Sequence, residues 1–159
     1  MSATSSATEI RHLILAAQRH GSRILAGHLR AASLTPAQAE VLQVLASHQP
    51  ITLVELGRLM ISETGSPSRL IDTLVTRGLV AREPGRDDRR VVRLRLTPAG
   101  QQTLADGRAQ TAAIDDFIAR RLTPDEMTDL IRMLRKLLRD TPGGRAIQKR
   151  YGPDATAPS

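Results

Sequence analysis

The feature that most constrains this chain is where its helices have to begin. Thr35-Pro36, Thr97-Pro98 and Thr123-Pro124 each put a capping hydroxyl one residue before a proline. Proline is tolerated only in the first turn of a helix, where its missing N–H has no partner to lose. Gln38 and Glu126 stand three residues after their threonines and complete capping boxes, and Thr52 with Glu55 forms another. A chain punctuated in this way folds into separate helices rather than one long coil, so the apolar pattern is read piece by piece between these marks.

Residues 1–8 are small and polar and are expected to fray. At 100° per residue from Ile10, the residues Leu13, Ile14, Ala17, Gly21, Ile24, Leu25, His28 and Ala32 fall within about 60° of one meridian. A long first helix over 9–33 is expected to bury that stripe. A second helix over 36–47 buries Val41, Leu42 and Leu45 and stops before Pro50. The third, over 53–60, contains Gly57, whose propensity penalty of about 1 kcal/mol implies close approach of another helix. In the segment 61–68, Gly65 breaks the chain, Ser66 can cap and Pro67 fits the first helical position. The fourth helix runs to residue 76 with Leu70, Ile71 and Leu74 inward, and Gly78 ends it. Two strands follow at 79–83 and 91–96; in the second, Val92, Leu94 and Leu96 alternate with Arg93 and Arg95. Between them lies the charged hairpin tip 84–90. A long helix with few apolar residues begins at 98, and the last helix, to residue 140, carries Met127, Leu130, Ile131, Leu134, Leu137 and Leu138 at clean i, i+3, i+4, i+7 spacing. The tail 141–159, with three Pro and three Gly, reads as a flexible segment with at most one turn around Ile147.

The fold class expected is therefore mainly α with a small β-hairpin wing. Residues 34–97 form a winged helix-turn-helix, flanked by a helical region made of 9–33 and 98–140.

Composition limits the chemistry. The 159 residues are 40% apolar, enough for a core, and no apolar run approaches the length of a membrane span. The N-terminus lacks a basic segment followed by an apolar one, so a cytoplasmic location is expected and no membrane partner. Without cysteine there are no disulfides, thiol nucleophiles or cysteine zinc sites. His12, His20 and His28 do not converge on one face of the first helix, so no metal is expected. The sequence lacks a nucleophile elbow, a P-loop and a dinucleotide fingerprint, so neither enzyme activity nor a cofactor is expected.

The charge points to a polyanion. Lys+Arg number 23 against 16 acids, a balance of +7, and all but Lys136 and Lys149 are arginine. Guanidinium groups suit phosphates and guanine edges. One Phe and one Tyr without any Trp leave no stacking platform for single strands, so duplex DNA is the better partner. The major groove, about 12 Å wide, admits one helix. The fourth helix offers Thr64, Ser66, Ser68, Arg69 and Thr73 towards it. The hairpin tip carries Arg86, Asp88, Arg89 and Arg90, and arginines on a narrow loop suit the minor groove.

Each reading has a plainer counterpart. Six arginines over 82–95 stand against three acids, and such a hairpin can be simply solvated. Arg93 and Arg95 read as solubilising, Ser66 as a cap and Asp72 as an ion-pair partner within the protein. His28, in mid-stripe beside Leu25, is either a satisfied buried histidine or a pocket residue that orients an anionic or phenolic ligand.

The segments Leu34-Thr-Pro-Ala-Gln38, Arg77-Gly-Leu-Val80, Asp87-Asp-Arg-Arg90 and Leu94-Arg-Leu-Thr-Pro-Ala-Gly100 together resemble the MarR family of bacterial regulators over about residues 9–140. The family's wing signature falls on Asp88, Arg90, Leu94, Leu96 and Thr97. The resemblance implies a homodimeric repressor or activator on palindromic operator DNA, dimerised through the first and last helices. Ile10, Leu13, Ile14, Leu130, Leu134, Leu137 and Leu138 would lie in that interface. It further implies, as in many members, a small-molecule effector between the dimer and DNA-binding regions; His28 and Leu25, on the apolar stripe of the first helix, are the pocket candidates if His28 is not simply a satisfied buried histidine. Arg90 would be the minor-groove arginine and Asp88 its orienting partner. Where many members have Ser-Thr-Val-Ser/Thr, this chain has Gly65-Ser-Pro-Ser68, so the recognition helix starts later and its first-turn contacts do not transfer. A sequence-tolerant architectural DNA binder and a winged-helix protein-interaction module remain open alternatives.

Overall fold

The computed structural model describes residues 3–30, 32–61, 66–85 and 88–152. Its elements are α1 (Ala3–Leu29), α2 (Pro36–His48), α3 (Leu53–Leu59), α4 (Pro67–Thr76), β1 (Val80–Pro84), β2 (Val92–Leu96), α5 (Pro98–Ala119), α6 (Pro124–Leu137) and α7 (Pro142–Tyr151).

The threonine marks act as their chemistry requires. The side chains of Thr35, Thr52, Thr97 and Thr123 accept from the N–H of Gln38, Glu55, Gly100 and Glu126, and reciprocal boxes close at Gln38, Glu55 and Glu126. Helix α2 is the centre of the core. Its Val41, Leu42, Val44 and Leu45 are buried, and around them pack Leu29, Leu34, Leu56, Leu59, Ile71, Leu74, Leu79, Val80, Leu94, Leu96 and Leu104 from every neighbouring element. Burying one such side chain stabilises by about 1.5–3 kcal/mol, so this cluster holds α3, α4 and the hairpin in one body.

The hairpin is antiparallel, with Val80 opposite Leu96, Arg82 opposite Leu94 and Pro84 opposite Val92. Ile51 adds a bridge to Leu94: the Leu94 N–H donates to the Ile51 carbonyl at 2.7 Å. This single-residue third rung ties the turn after α2 to the base of the wing. Alternation does not mark it, because one residue carries no period.

Four sequence expectations change. Helix α1 starts at Ala3 rather than at residue 9, because no glycine or proline interrupts the chain before Gly21. The Ser66 hydroxyl does not cap α4; it pairs with the Ser68 hydroxyl at 2.6 Å.

The third change is in the tail expected to be flexible, where the stretch 142–151 is helix α7. Thr141-Pro142 is a further copy of the start signal seen at Thr35, Thr97 and Thr123, and Thr141 caps the Gly144 N–H at 3.0 Å. Asp140 takes φ 64 to reverse the chain after α6. A Cβ on Gly144 would overlap the Leu138 carbonyl oxygen, so the tight reversal needs glycine there. High Gly content in this case marks a close approach rather than disorder.

The fourth is Gly57. It is exposed, and among the described residues a Cβ on it would meet only Pro67 Cγ, at 3.9 Å. That is an ordinary contact, so helix approach does not require the glycine. Gly57→Ala is therefore expected to stabilise the protein by about 1 kcal/mol. The midpoint of urea unfolding should rise; a fall would mean that the site is tighter than this geometry allows.

Candidate nucleic-acid interface

Helices α3 and α4 and the hairpin form one surface, and three ion pairs join its parts. Asp72 on α4 pairs with Arg82 on β1 at 2.5 Å, Glu55 on α3 lies 3.7 Å from Arg93 on β2, and Glu83 pairs with Arg95 across the hairpin at 3.2 Å. All six side chains remain partly solvated, 35–59% exposed, so each pair contributes no more than about 1 kcal/mol. Each acts locally: Asp72–Arg82 links α4 to the wing, Glu55–Arg93 links α3 to it, and Glu83–Arg95 ties its two strands. Asp72 thus has the intraprotein role expected of it, and Arg93 and Arg95 are held by carboxylates on the outer face of β2. Arg93 also donates to the Pro50 carbonyl at 3.2 Å.

The residues left free are the informative ones. Arg69, in the first turns of α4, is exposed and has no carboxylate partner among the described residues. Ser66 and Ser68 sit at the very start of α4, and their hydroxyls bond to each other, so the first amides of the helix have no side-chain cap. Uncapped amides at a helix N-terminus favour an anion. Thr73 is exposed one turn on, its hydroxyl donating to the Arg69 carbonyl at 2.9 Å. At the tip, Arg89 and Arg90 are exposed and likewise lack a carboxylate partner among the described residues. Asp88 accepts from the Arg90 backbone N–H at 2.9 Å. It shapes the turn that carries Arg90 and does not pair with the Arg90 guanidinium. Thr64 and Arg86 lie outside the described residues.

The remaining sequence candidates are elsewhere. Ile10, Leu13 and Ile14 on α1 and Leu130, Leu134, Leu137 and Leu138 on α6 are all exposed, Leu13 to 61% and Leu137 to 59%. Helix α6 buries none of its residues within this chain. An amphipathic helix with its apolar face in water is incomplete by itself. The side chain of His28 is outside the described part. Leu25 lines a cavity of about 260 Å³ bounded also by Leu29, Leu34, Leu104, Ile61 and the ion pair of Glu40 with Arg150. Neither member of that pair stands out in the sequence. Its only signal is the Thr141-Pro142 start, which puts Arg150 on a helix. Among the described residues, no cluster of His, Asp or Glu could hold a metal ion, and no helix is long and apolar enough to cross a membrane.

This arrangement has known counterparts. The MarR family profile matches residues 34–92, which are α2 to the start of β2. The multiple antibiotic resistance protein MarR of Escherichia coli K12 is 32% identical over 118 residues, 73% of this chain and 81% of its own. The chain belongs to the MarR family. The MarR protein of Salmonella typhimurium is 28% identical over 127 residues, covering 79% of this chain and 88% of its own. Among solved structures, a mutant MarR from Escherichia coli complexed with operator DNA superposes with a TM-score of 0.74 at 27% identity, covering 87% of this chain and 99% of that one. BpsR of Bordetella bronchiseptica, whose DNA binding is regulated by 6-hydroxynicotinic acid, superposes at 0.71 with 26% identity, over 80% and 91% of the two chains. The protein is thus a MarR-family winged-helix transcription regulator rather than an enzyme.

One carboxylate at the edge of this surface titrates abnormally. The Thr52 backbone N–H, then the Thr52 hydroxyl, then Arg93 and Arg58 hold the Glu55 carboxyl below the usual carboxylate range. A depressed folded pKa gives stability that is present above the unfolded value and lost as pH falls through the folded one. Acidification is therefore expected to weaken the start of α3, and Glu55→Gln should flatten that acid limb. Unfolding free energies at about pH 7 and about pH 3.5, on either side of the ordinary carboxylate range, check this; an unaltered acid limb in the variant would remove Glu55 as a contributor.

Proposed function

We propose that the protein is a homodimeric, sequence-specific regulator that binds palindromic duplex DNA, with α4 in the major groove and the wing tip in the minor groove. The observation that carries this reading is the division of the arginines. Those on the flanks of the surface, Arg82, Arg93 and Arg95, are held by carboxylates, while Arg69, Arg89 and Arg90 project into solvent from the two parts that meet a duplex. The uncapped start of α4, with Ser66 and Ser68, suits a phosphate beside the groove, and Thr73 lies one turn further along the same helix. Thr64 and Arg86 complete the set proposed from sequence. The Escherichia coli relative complexed with operator DNA supports the same use of the surface.

Dimerisation is assigned to the exposed apolar faces of α1 and α6, through Ile10, Leu13, Ile14, Leu130, Leu134, Leu137 and Leu138. Two-fold symmetry then places the half-sites about 10 bp apart, centre to centre. Repression relieved by a small ligand is the regulatory mode we favour. The cavity beside Leu25 has apolar walls and a single ionic edge, which suits a small ligand with an apolar body and one polar or anionic group. The regulation of BpsR by 6-hydroxynicotinic acid supports an effector of that kind. A ligand that prefers a dimer with wrongly spaced α4 helices weakens DNA binding by linkage, and DNA weakens ligand binding equally.

Selection of duplexes from a random library tests the reading. The protein should enrich a two-fold symmetric site and bind it at least about 1000-fold more tightly than a scrambled duplex. A ratio near one would support an architectural binder, and no binding at low salt would support an interaction module. Arg90→Ala should weaken binding to both duplexes and reduce the slope of log affinity against log salt by about one; an unchanged slope removes Arg90 from the interface. Leu134→Glu should convert the dimer to monomer in sedimentation equilibrium, because it puts a charge into an apolar interface. A surviving dimer would move the interface elsewhere.

A further inference from the structure

Helix α7 lies beyond the region in which the sequence resembles the family, and it packs against α3, the first helix of the helix-turn-helix. It is held at both ends. Thr141 caps its start, and the Arg135 guanidinium of α6 donates to the Gly152 carbonyl at 2.9 Å. Ala146 is buried on its inner face. The same face carries Arg150, which donates to Glu40 Oε1 on α2 at 3.0 Å, with both side chains only 10% exposed. The other ion pairs of the described residues are far more solvated.

Glu40 Oε1 has another bond to make. It accepts the Ile61 backbone N–H at 2.7 Å, and Ile61 stands after α3 at the beginning of the turn that leads to α4. One carboxylate oxygen thus joins three pieces of chain: α2, Ile61 just after α3, and α7. Removing Arg150 takes away a donor that orients the Glu40 carboxylate, and so loosens the acceptor that holds the Ile61 N–H.

From this geometry we infer that α7 is a brace for the recognition helix: Arg150 fixes Glu40, Glu40 fixes the turn at Ile61, and the pair thereby sets how well α4 is presented to DNA. Arg150 and Glu40 are positioning residues; neither needs to touch the duplex. The inference rests on the DNA-binding reading above. It adds a determinant that lies outside the matched region 34–92, contributed by the C-terminal helix.

The brace acts on presentation of the base-reading helix, so it should affect specific binding and spare phosphate attraction. The test uses the full-length protein with the duplex it selects and with a scrambled duplex. Arg150→Gln should lower affinity for the selected duplex about tenfold and leave the scrambled duplex within about twofold. The double variant Glu40→Gln/Arg150→Gln, which buries two amides and no charge, should recover most of the loss, because the amide that replaces the Glu40 carboxylate still offers an oxygen to the Ile61 N–H. A merely structural pair would lower the melting temperature without changing the ratio of the two affinities. If circular dichroism shows Arg150→Gln to be unfolded, Arg150→Lys decides. Its point charge replaces the planar donor, and it should lower the selected-to-scrambled ratio about threefold. An unchanged ratio in the folded variant, or an equal loss on both duplexes, overturns the brace while leaving the regulator reading intact. A wild-type protein that prefers no duplex removes both.

Discussion

Burial of α2 is the constraint on which the rest depends. Its Val41, Leu42, Val44 and Leu45 are enclosed by side chains from α1, α3, α4, both strands and α5. With hardly any aromatic residues in the chain, this centre is built almost wholly of Leu, Ile and Val. Aliphatic side chains interdigitate only over short distances, so each neighbouring element has to approach α2 closely to share in the burial. The consequence is rigidity between α4 and the wing. If α4 and the wing read DNA as proposed, a loosely packed scaffold would cost each of them entropy on being positioned when DNA arrives. On this core that ordering is already done.

Surface charge is added to this frame in a graded way. Pairs such as Asp72–Arg82 and Glu83–Arg95 are too solvated to contribute much stability. They neutralise arginines that would otherwise form an unfocused positive field, leaving Arg69, Arg89 and Arg90 at the two projecting parts as cations with no carboxylate partner among the described residues. In the proposed complex, counterion release at these cations and at the rest of the basic surface supplies sequence-independent attraction. Discrimination then falls to the groups on α4 itself. The Asp88 bond to the Arg90 N–H makes the same distinction on a smaller scale. It shapes the backbone of the tip and leaves the guanidinium to the solvent.

The helical frame and the hairpin are legible in the sequence because their signals are local. A threonine hydroxyl three residues from an amide and a strand alternating Leu with Arg need no tertiary information. The Asp72–Arg82 pairing is half legible: an acid on the fourth helix calls for a partner, but only the packing of β1 against α4 names Arg82. Three features are out of reach for physical reasons. Whether Ser66 caps depends on a competing hydroxyl at Ser68, two residues away, and the competitor wins. Ile51 joins the wing through a single rung, too short for any periodicity. Glu40 and Arg150 are 110 residues apart, and a pair at that separation is created by the fold alone. The tail misleads for a different reason: Gly143 and Gly144 count towards a flexible composition, although one of them sits where a carbonyl excludes any Cβ.

The exposed face of α6 sets the order in which these parts have to act. A helix with none of its residues fully buried within its own chain gains little from folding onto it, so most of its stability has to come from a second apolar surface. In the proposed dimer that surface is the face of α1 and α6 in the partner, and assembly then fixes the distance between the two α4 helices. Distance, more than the fit of either α4 alone, decides binding to a two-fold site, because both helices must enter grooves on the same side of one duplex. In such a dimer a small change where α1 meets α2 would be amplified into the spacing of the two α4 helices. The cavity beside Leu25 lies at that junction, lined by residues of α1, α2 and α5. A ligand there need not touch the DNA surface to weaken binding. It has only to favour one angle between the dimer helices and the core over another, and its effect is capped by the difference in its affinity for the two arrangements.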